Sequence, residues 1–249
     1  MEKKGKIRVG LIGCGAIGTL IAKAIEEKLV VCDELILYDQ NEEKTQLLKK
    51  SLLFPVTIVN GIDEMLTLKP NVIVEAASQQ AVHEYAERIT AENIDLIVMS
   101  TGALLDLEIS KKIHVPSGAI GGLDALSSAA LAGINEVLLI SRKNPRAFEK
   151  NNKQATVVYE GTAKEAARLF PREMNVAATL ALTVNPTRVR VQVVSDPKVE
   201  RNTHEFNVKW QFGEMFLRFA NDPHPDNPRT SALAAWSAIK LLKTLVAKF

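Results

Sequence analysis

The side chains of this 249-residue chain that could move protons are few enough to weigh one at a time, since only four are histidines. Imidazole has an ordinary pKa of about 6.5, which suits proton transfer near neutrality. His83 falls on the polar-looking face of a predicted helix and His224 in a proline-bearing loop, and both read as surface residues. His114 opens a predicted strand and can be read either way. His204 stands apart: alternation puts it on one face with Phe206, Val208 and Trp210, and puts Thr203, Glu205, Asn207 and Lys209 on the other. A histidine at the end of an inward face is either a satisfied core residue or a catalytic group at the edge of a cleft. No His, Cys, Asp and Glu spacing suits a metal, and no nucleophile elbow or P-loop lysine is present. Arg142, Lys143, Lys164 and Arg229 lie near predicted element ends, where a cation could grip a carboxylate, but solvated surface is the expectation for each.

A second group of residues suits phosphate rather than protons. An apolar stretch at 9–12 runs into Gly13, Gly15 and Gly18, with Ala16 and Ile17 between the last two, and then into a helical pattern over 19–28. The first glycine permits a sharp turn, the second lets backbone approach a pyrophosphate, and the third allows close packing of helix on sheet. A diphosphate there would meet the N–H groups and positive end of the helix. The next strand, 34–38, ends in Asp39, where a carboxylate can accept both ribose hydroxyls of NAD. Lys44 lies close enough in sequence to leave NADP conceivable, so the cofactor expected is NAD or NADP. The basic start and the apolar run over 9–22 imitate a secretory signal, but a cleaved signal would not need the strand ending in Asp39.

The elements around these residues alternate in the first half of the chain. Strands are predicted at 56–59, 72–75 and 95–99, with helices at 41–50, 63–68 and 79–92, capped by Asn41 and Ser78 where those begin helices. That order belongs to a Rossmann-type, doubly wound α/β domain with a parallel sheet. Ala76, Ala77 and Ser78 follow one strand, and residues 100–103 follow the next. Small residues at carboxyl ends of strands leave room for a ligand in the crevice that such sheets present. A short helix near 104–112 and a strand at 114–116 close the domain. The glycine cluster at 117–122 reads as a hinge or as a source of N–H groups for a ligand.

Beyond it the order changes to an α+β domain with a mixed sheet. Helices are expected at 123–132, 163–170 and 176–182, and strands at 136–141, 156–159, 188–194, 204–210 and 214–219, the last two as a hairpin. Residues 221–229 read as a loop. A helix over 230–248, with a stripe of Leu233, Trp236, Ile239, Leu242 and Leu245, is expected to return to the first domain. The expected division is therefore 1–118 with 226–249, and 119–225.

An apolar fraction of 47% supports a substantial core, and a net charge of +2 with no basic stripe gives no reason to expect nucleic acid or a membrane surface as partner. No apolar run is long enough for a bilayer span. Two cysteines, one of them inside the glycine turn, make no disulfide framework, and a reducing cytoplasm is the expected setting.

With these residues in view, the chain resembles the L-aspartate dehydrogenase family over almost its whole length. The matching stretches are Gly10-Leu-Ile-Gly-Cys-Gly-Ala-Ile-Gly18, Val74-Glu-Ala-Ala-Ser-Gln-Gln-Ala81, Ser117-Gly-Ala-Ile-Gly-Gly-Leu-Asp124, Asn175-Val-Ala-Ala-Thr179, Asn202-Thr-His-Glu205 and Asn227-Pro-Arg-Thr-Ser231. The resemblance implies NAD(P)-dependent oxidation of the small molecule L-aspartate to iminoaspartate, able to feed NAD biosynthesis. It implies His204 as catalytic residue and Ala119 and Asn175 as cofactor contacts, with the nicotinamide near Ala76, Ala119 and Asn175. From its residues alone, Asn175 reads as a helix cap. The segment between Gly102 and Val115 is shorter than the family usually carries, which puts the helix expected there in doubt. Two rivals are a reductase of another small dicarboxylate or cyclic imine, similar to dihydrodipicolinate reductases, and an NAD-binding sensor without turnover. The first is marked by a second-domain cluster of histidine and lysine not visible in the sequence. The second would be favoured by a His204 that is exposed or fully buried in the core. A homodimer is the expected assembly, marked by an exposed apolar face on the second sheet.

Overall fold

A computed structural model describes residues 5–224 and 227–249, with backbone alone for 223, 224 and 227–230. It divides into two compact units, one running to Pro116 and taking in Ala235–Phe249, the other Ser117–Ala234.

The first unit winds in regular alternation: β1 (Arg8–Ile12), α1 (Ala16–Glu26), β2 (Glu34–Tyr38), α2 (Glu42–Lys50), β3 (Val56–Ile58), α3 (Ile62–Thr67), β4 (Val72–Glu75), α4 (Gln79–Ala91), β5 (Asp95–Val98) and β6 (Ile113–His114). The strands form one parallel sheet in the order β3-β2-β1-β4-β5-β6. This is the expected Rossmann-type sheet. Val9, Leu11, Ile36, Ile73 and Ile97 are all but inaccessible, as strands covered on both faces require. The predicted caps form: Asn41 accepts from Glu43 N–H at 3.0 Å, and the Ser78 hydroxyl from Ala81 N–H at 3.2 Å.

The second unit comprises α5 (Leu123–Ala132), β7 (Ile134–Lys143), β8 (Thr156–Thr162), α6 (Ala163–Leu169), α7 (Asn175–Thr183), β9 (Val189–Ser195), β10 (Asn202–Trp210), β11 (Gly213–Asn221), β12 (Pro223–His224) and β13 (Asn227–Ser231). Its mixed sheet runs β11-β10-β7-β9-β8, parallel only between β7 and β9. Helices α5, α6 and α7 lay Leu126, Ala166 and Leu180 against one face, where they meet Val137, Leu139, Val191 and Phe206 in a single core. The last helix, α8 (Ala232–Val246), lies mostly in the Ala235–Phe249 segment.

Five expectations are corrected. Helix α1 begins at Ala16, not 19, because Gly18 is tolerated within it: a Cβ there would run into the Gly13 carbonyl. No helix covers 106–112; a 3-10 turn, Thr101–Leu105, takes the place of its start. So short a segment cannot offset the cost of nucleation without burying a face, and Ile109 is exposed. Residues 221–229 are not a loop throughout, because β12 and β13 pair antiparallel; a two-stranded ladder tolerates proline where no N–H is needed. The second border lies at 234/235 rather than 225/226, since this hairpin belongs with the second unit. Finally, Leu233 and Trp236 are 39% and 47% exposed, and the buried stripe of α8 is Ala235, Ala238, Ile239, Leu242, Leu245 and Val246. A strict three-residue spacing falls progressively behind a 3.6-residue turn, so the predicted row could not stay on one face.

Candidate active site

In the first unit, the turn from β1 into α1 is held by its neighbours. Gly13 has φ +98°, a conformation open to glycine, and a Cβ there would lie 2.6 Å from the Ala76 carbonyl oxygen. Its N–H donates to Tyr38 O at 2.8 Å. Asp39, at the end of β2, accepts from Cys14 N–H at 2.7 Å and from Asn41 N–H at 2.9 Å, so the carboxylate braces the turn and keeps lone pairs for a further donor. A cleft of about 230 Å³ opens beside it, lined by Tyr38, Gln40, Thr45, Ile58 and Asn60 among others. Gly15 precedes α1 without any side-chain cap, and a Cβ added there would meet nothing within 4 Å. An uncapped helix start behind an open glycine, with a carboxylate and a cleft alongside, fits the diphosphate and ribose of a dinucleotide. Ala16 and Ile17 are half-buried in this turn, Ala76 is half-buried, and Ala77 and Ser78 are exposed.

Glu75 was not singled out by sequence reasoning. It is 1% exposed, and its carboxylate accepts from the N–H groups of Ala77, Ser78, Met99 and Ser100 and from the Ser100 hydroxyl, at 2.8–3.2 Å. Burial raises its pKa, with these donors pulling the other way. One side chain thus knits the loops after β4 and β5. Its only sequence signal is an acid closing an otherwise apolar strand.

In the second unit, each of three neighbouring strands changes character along its inward face. Strand β7 passes from Val137 and Leu139 to Ser141 and Lys143, β9 from Val191 and Val193 to Ser195, and β10 from Val208 and Phe206 to His204 and Asn202, all buried. The register aligns the changes, with Ser141 opposite His204 and Lys143 opposite Ser195. The apolar layer therefore ends in a buried polar one. His204 is 1% exposed, with Nδ1 3.1 Å from Ser141 Oγ. Burial first, and the nearby Lys143 charge second, push its pKa down to about 3, so the ring is neutral. Two other expected residues adjoin this end of the sheet. Ala119 is buried and its carbonyl accepts from Asn221 Nδ2 at 2.9 Å, on the β11 residue paired with Asn202. Asn175 is the first residue of α7, two residues after Glu173, whose carbonyl accepts from Lys143 Nζ at 3.2 Å.

The other candidates fall out differently. Lys143, expected at the surface, is 2% exposed, because β7 continues two residues past its predicted end and carries the side chain inward. Thr203, expected to face outward, is also buried. Arg142 pairs with Asp196 at 3.2 Å and Lys164 is exposed. His83 is exposed, and His114 Nε2 lies 2.7 Å from Asp95. The side chains of His224 and Arg229 lie outside the described residues. A histidine and a lysine do come near one another in the second unit, a proximity that local spacing could not reveal. His204 is also as buried as the sensor reading asked, but among polar groups rather than in the apolar core.

Comparison with known proteins decides the family. The model described as aspartate dehydrogenase, C-terminal, matches residues 124–245, and that of the homoserine dehydrogenase NAD binding domain matches residues 13–120. An L-aspartate dehydrogenase of Archaeoglobus fulgidus is 42% identical over 95% of this chain and 97% of its own. The chain belongs to the aspartate dehydrogenase family. A second relative, the L-aspartate dehydrogenase of Methanococcoides burtonii, is 38% identical over 96% of this chain and 97% of its own. Among solved structures, aspartate dehydrogenase from Thermotoga maritima superposes with a TM-score of 0.76 at 28% identity, over 98% of this chain and 99% of that one. A dihydrodipicolinate reductase, at 15% identity and a TM-score of 0.51, shares the fold alone. The NAD binding domain match spans the glycine turn and Asp39, and neither rival reading is favoured.

Two measurements test this geometry. Gly15→Ala should keep its melting temperature and raise the Kd for NADH by about tenfold or more, whereas Gly13→Ala should lose stability as well, because its Cβ has no room; equal melting losses in both would contradict the open space at Gly15. The depressed pKa of His204 has a definite sign. Its contribution to stability is fully present above the unfolded pKa of about 6.5 and is lost as pH falls towards about 3, since only the unfolded chain takes up the proton readily. The stability advantage of wild type over His204→Asn should therefore shrink between about pH 7.5 and pH 4.5; an advantage that does not change would show that the ring is not held neutral.

Proposed function

We propose that this protein is an NAD(P)-dependent L-aspartate dehydrogenase, and the observation that carries the reading is the likeness to L-aspartate dehydrogenases along almost the entire chain. The reaction converts L-aspartate and NAD(P)⁺ to iminoaspartate, NAD(P)H and a proton. Water then adds to the imine and releases ammonia and oxaloacetate, and the imine itself is a feedstock for NAD biosynthesis. The bound nicotinamide supplies the hydride acceptor. Gly13, Gly15, Ala16, Ile17 and Gly18 take the diphosphate, Asp39 takes the adenosine ribose, and Ala76, Ala77, Ser78, Ala119 and Asn175 are the further cofactor contacts.

His204 is the base. If Nδ1–H donates to Ser141 Oγ, Nε2 carries the lone pair and receives a proton from the substrate ammonium, directly or through one water. Once that proton has been released to solvent, the same nitrogen activates the water that attacks the imine. The two carboxylates of the substrate bring negative charge beside the ring and raise its proton affinity while bound.

Initial rates of NADH formation should show turnover with L-aspartate and none with D-aspartate, glutamate, malate or homoserine. His204→Ala should lower kcat by about 10²-fold or more and leave the Kd for NADH within about twofold. No turnover with any of these acids despite tight NADH binding would return the reading to an imine reductase or a sensor, and full turnover in the variant would remove His204 from the mechanism.

We also infer a homodimer formed through the outer face of the five-stranded sheet. There Leu138 and Ile140 are half-buried and Phe216 is 64% exposed, flanked by the ion pairs Arg218–Glu205 and Lys209–Glu136. Sedimentation should give twice the chain mass for wild type and a monomer for Phe216→Glu; a monomeric wild type at micromolar concentration would refute the assembly. The reducing cytoplasm is the proposed setting. Both cysteines are free thiols, with Cys14 pushed up to about 12 and Cys32 to about 11, chiefly by burial. Cell fractionation checks the location.

A further inference from the structure

The geometry points to Lys143 as the cation that receives one carboxylate of the substrate, a role that rests on the proposed oxidation of L-aspartate and names how the same site recognises a dicarboxylate. Among the described residues it is the only lysine or arginine that is buried. Lysine ordinarily runs its stem along the surface and leaves its ammonium in water. Here the strand's alternation directs the side chain to the helix-covered face, in the row begun by Val137, Leu139 and Ser141. Burying an ammonium is costly, so its position calls for a reason.

Two features of that position suggest one. Ser141 is paired directly with His204, and Lys143 lies two residues further along the same face. His204 and Lys143 are thus diagonal neighbours across adjacent strands, with Cβ atoms roughly 7 Å apart. That separation lets an ammonium and an imidazole meet different groups of one small amino acid, a carboxylate on one side and the amine on the other. Lys143 Nζ also donates to Glu173 O at 3.2 Å, which places the cation at the entry to α7, two residues before Asn175. An ammonium has three N–H donors, so partners within the protein and a carboxylate can be met together.

Four arginines of the second unit are engaged elsewhere. Arg142 pairs with Asp196, Arg190 with Glu160, Arg201 with Asp222 and Arg218 with Glu205, each at 2.8–3.2 Å and each partly or largely exposed. None of them shares the inward row with His204. A dicarboxylate needs a charge-matched donor where its charge is taken out of water, and such donors discriminate strongly against analogues that lack the anion.

Succinate, which has both carboxylates and no amine to oxidise, separates recognition from turnover. Lys143→Met should raise the Ki of succinate and the KM of L-aspartate by about tenfold or more, change kcat less, and leave the Kd for NADH within about twofold. Lys143→Arg, which keeps a cation in place, should lose less succinate affinity than Lys143→Met. Unchanged succinate affinity in Lys143→Met, equal losses in both variants, or no succinate binding to the NADH-loaded wild type would overturn the assignment. Should Lys143→Met fail to bind NADH, Lys143→Arg decides alone: a succinate affinity altered by about threefold or more supports the contact, and an unaltered one removes it. Calorimetric binding of succinate reads Lys143 without any reaction, so an absence of aspartate turnover in the wild type would count against the proposed function and not against this contact.

Discussion

A polar side chain buried at the end of a strand must find its hydrogen-bond partners within the protein, and this requirement shapes the functional ends of both units. In the first, Glu75 closes an apolar strand and is met by four backbone N–H groups and one hydroxyl, which pins the chain as it leaves β4 and β5. In the second, His204 is met by Ser141 across a strand pair, and the inward faces of β7, β9 and β10 change from apolar to polar at the same level. The strand ends are positioned by their need for partners as much as by the apolar layer behind them.

The consequence for chemistry differs between the two ends. Glu75 is consumed in holding loops. His204 is held by one nitrogen, which in the proposed reaction leaves the other for proton transfer, and burial beside Lys143 keeps the ring neutral. A neutral base needs no prior deprotonation, but it is weak until negative charge arrives beside it. In the proposed reaction, an anionic substrate that brings this charge makes the residue's function conditional on occupancy. The same surroundings make the polar end expensive for the fold, a frequent property of reactive sites.

Much of the first unit was legible in order along the chain. Its strands and helices are local patterns, its turn is written in spaced glycines, and its caps are Asn41 and Ser78, whose side chains act within a few residues. The failures were of another kind. The apolar row on α8 drifted off its face, because counting by threes ignores the accumulated rotation of a helix. The segment 106–112 looked helical but buries no face. Lys143 was assigned to solvent because its strand was expected to end two residues earlier, and a single added pair of residues decides whether a side chain at the edge is inside or outside.

The sequence by itself determined the parallel sheet, the glycine turn and the strand that ends in Asp39, the alternation that sets His204 in line with Phe206 and Val208, and the family through its longer motifs. These depend on neighbours in sequence, where periodicity and residue type act directly. Only the tertiary structure decided that Ser141 faces His204, that Lys143 is buried in the next place along, and that Glu75 gathers donors from two loops. Such contacts join residues far apart in the chain through strand register, and register is set by the packing of the whole sheet rather than by any one segment.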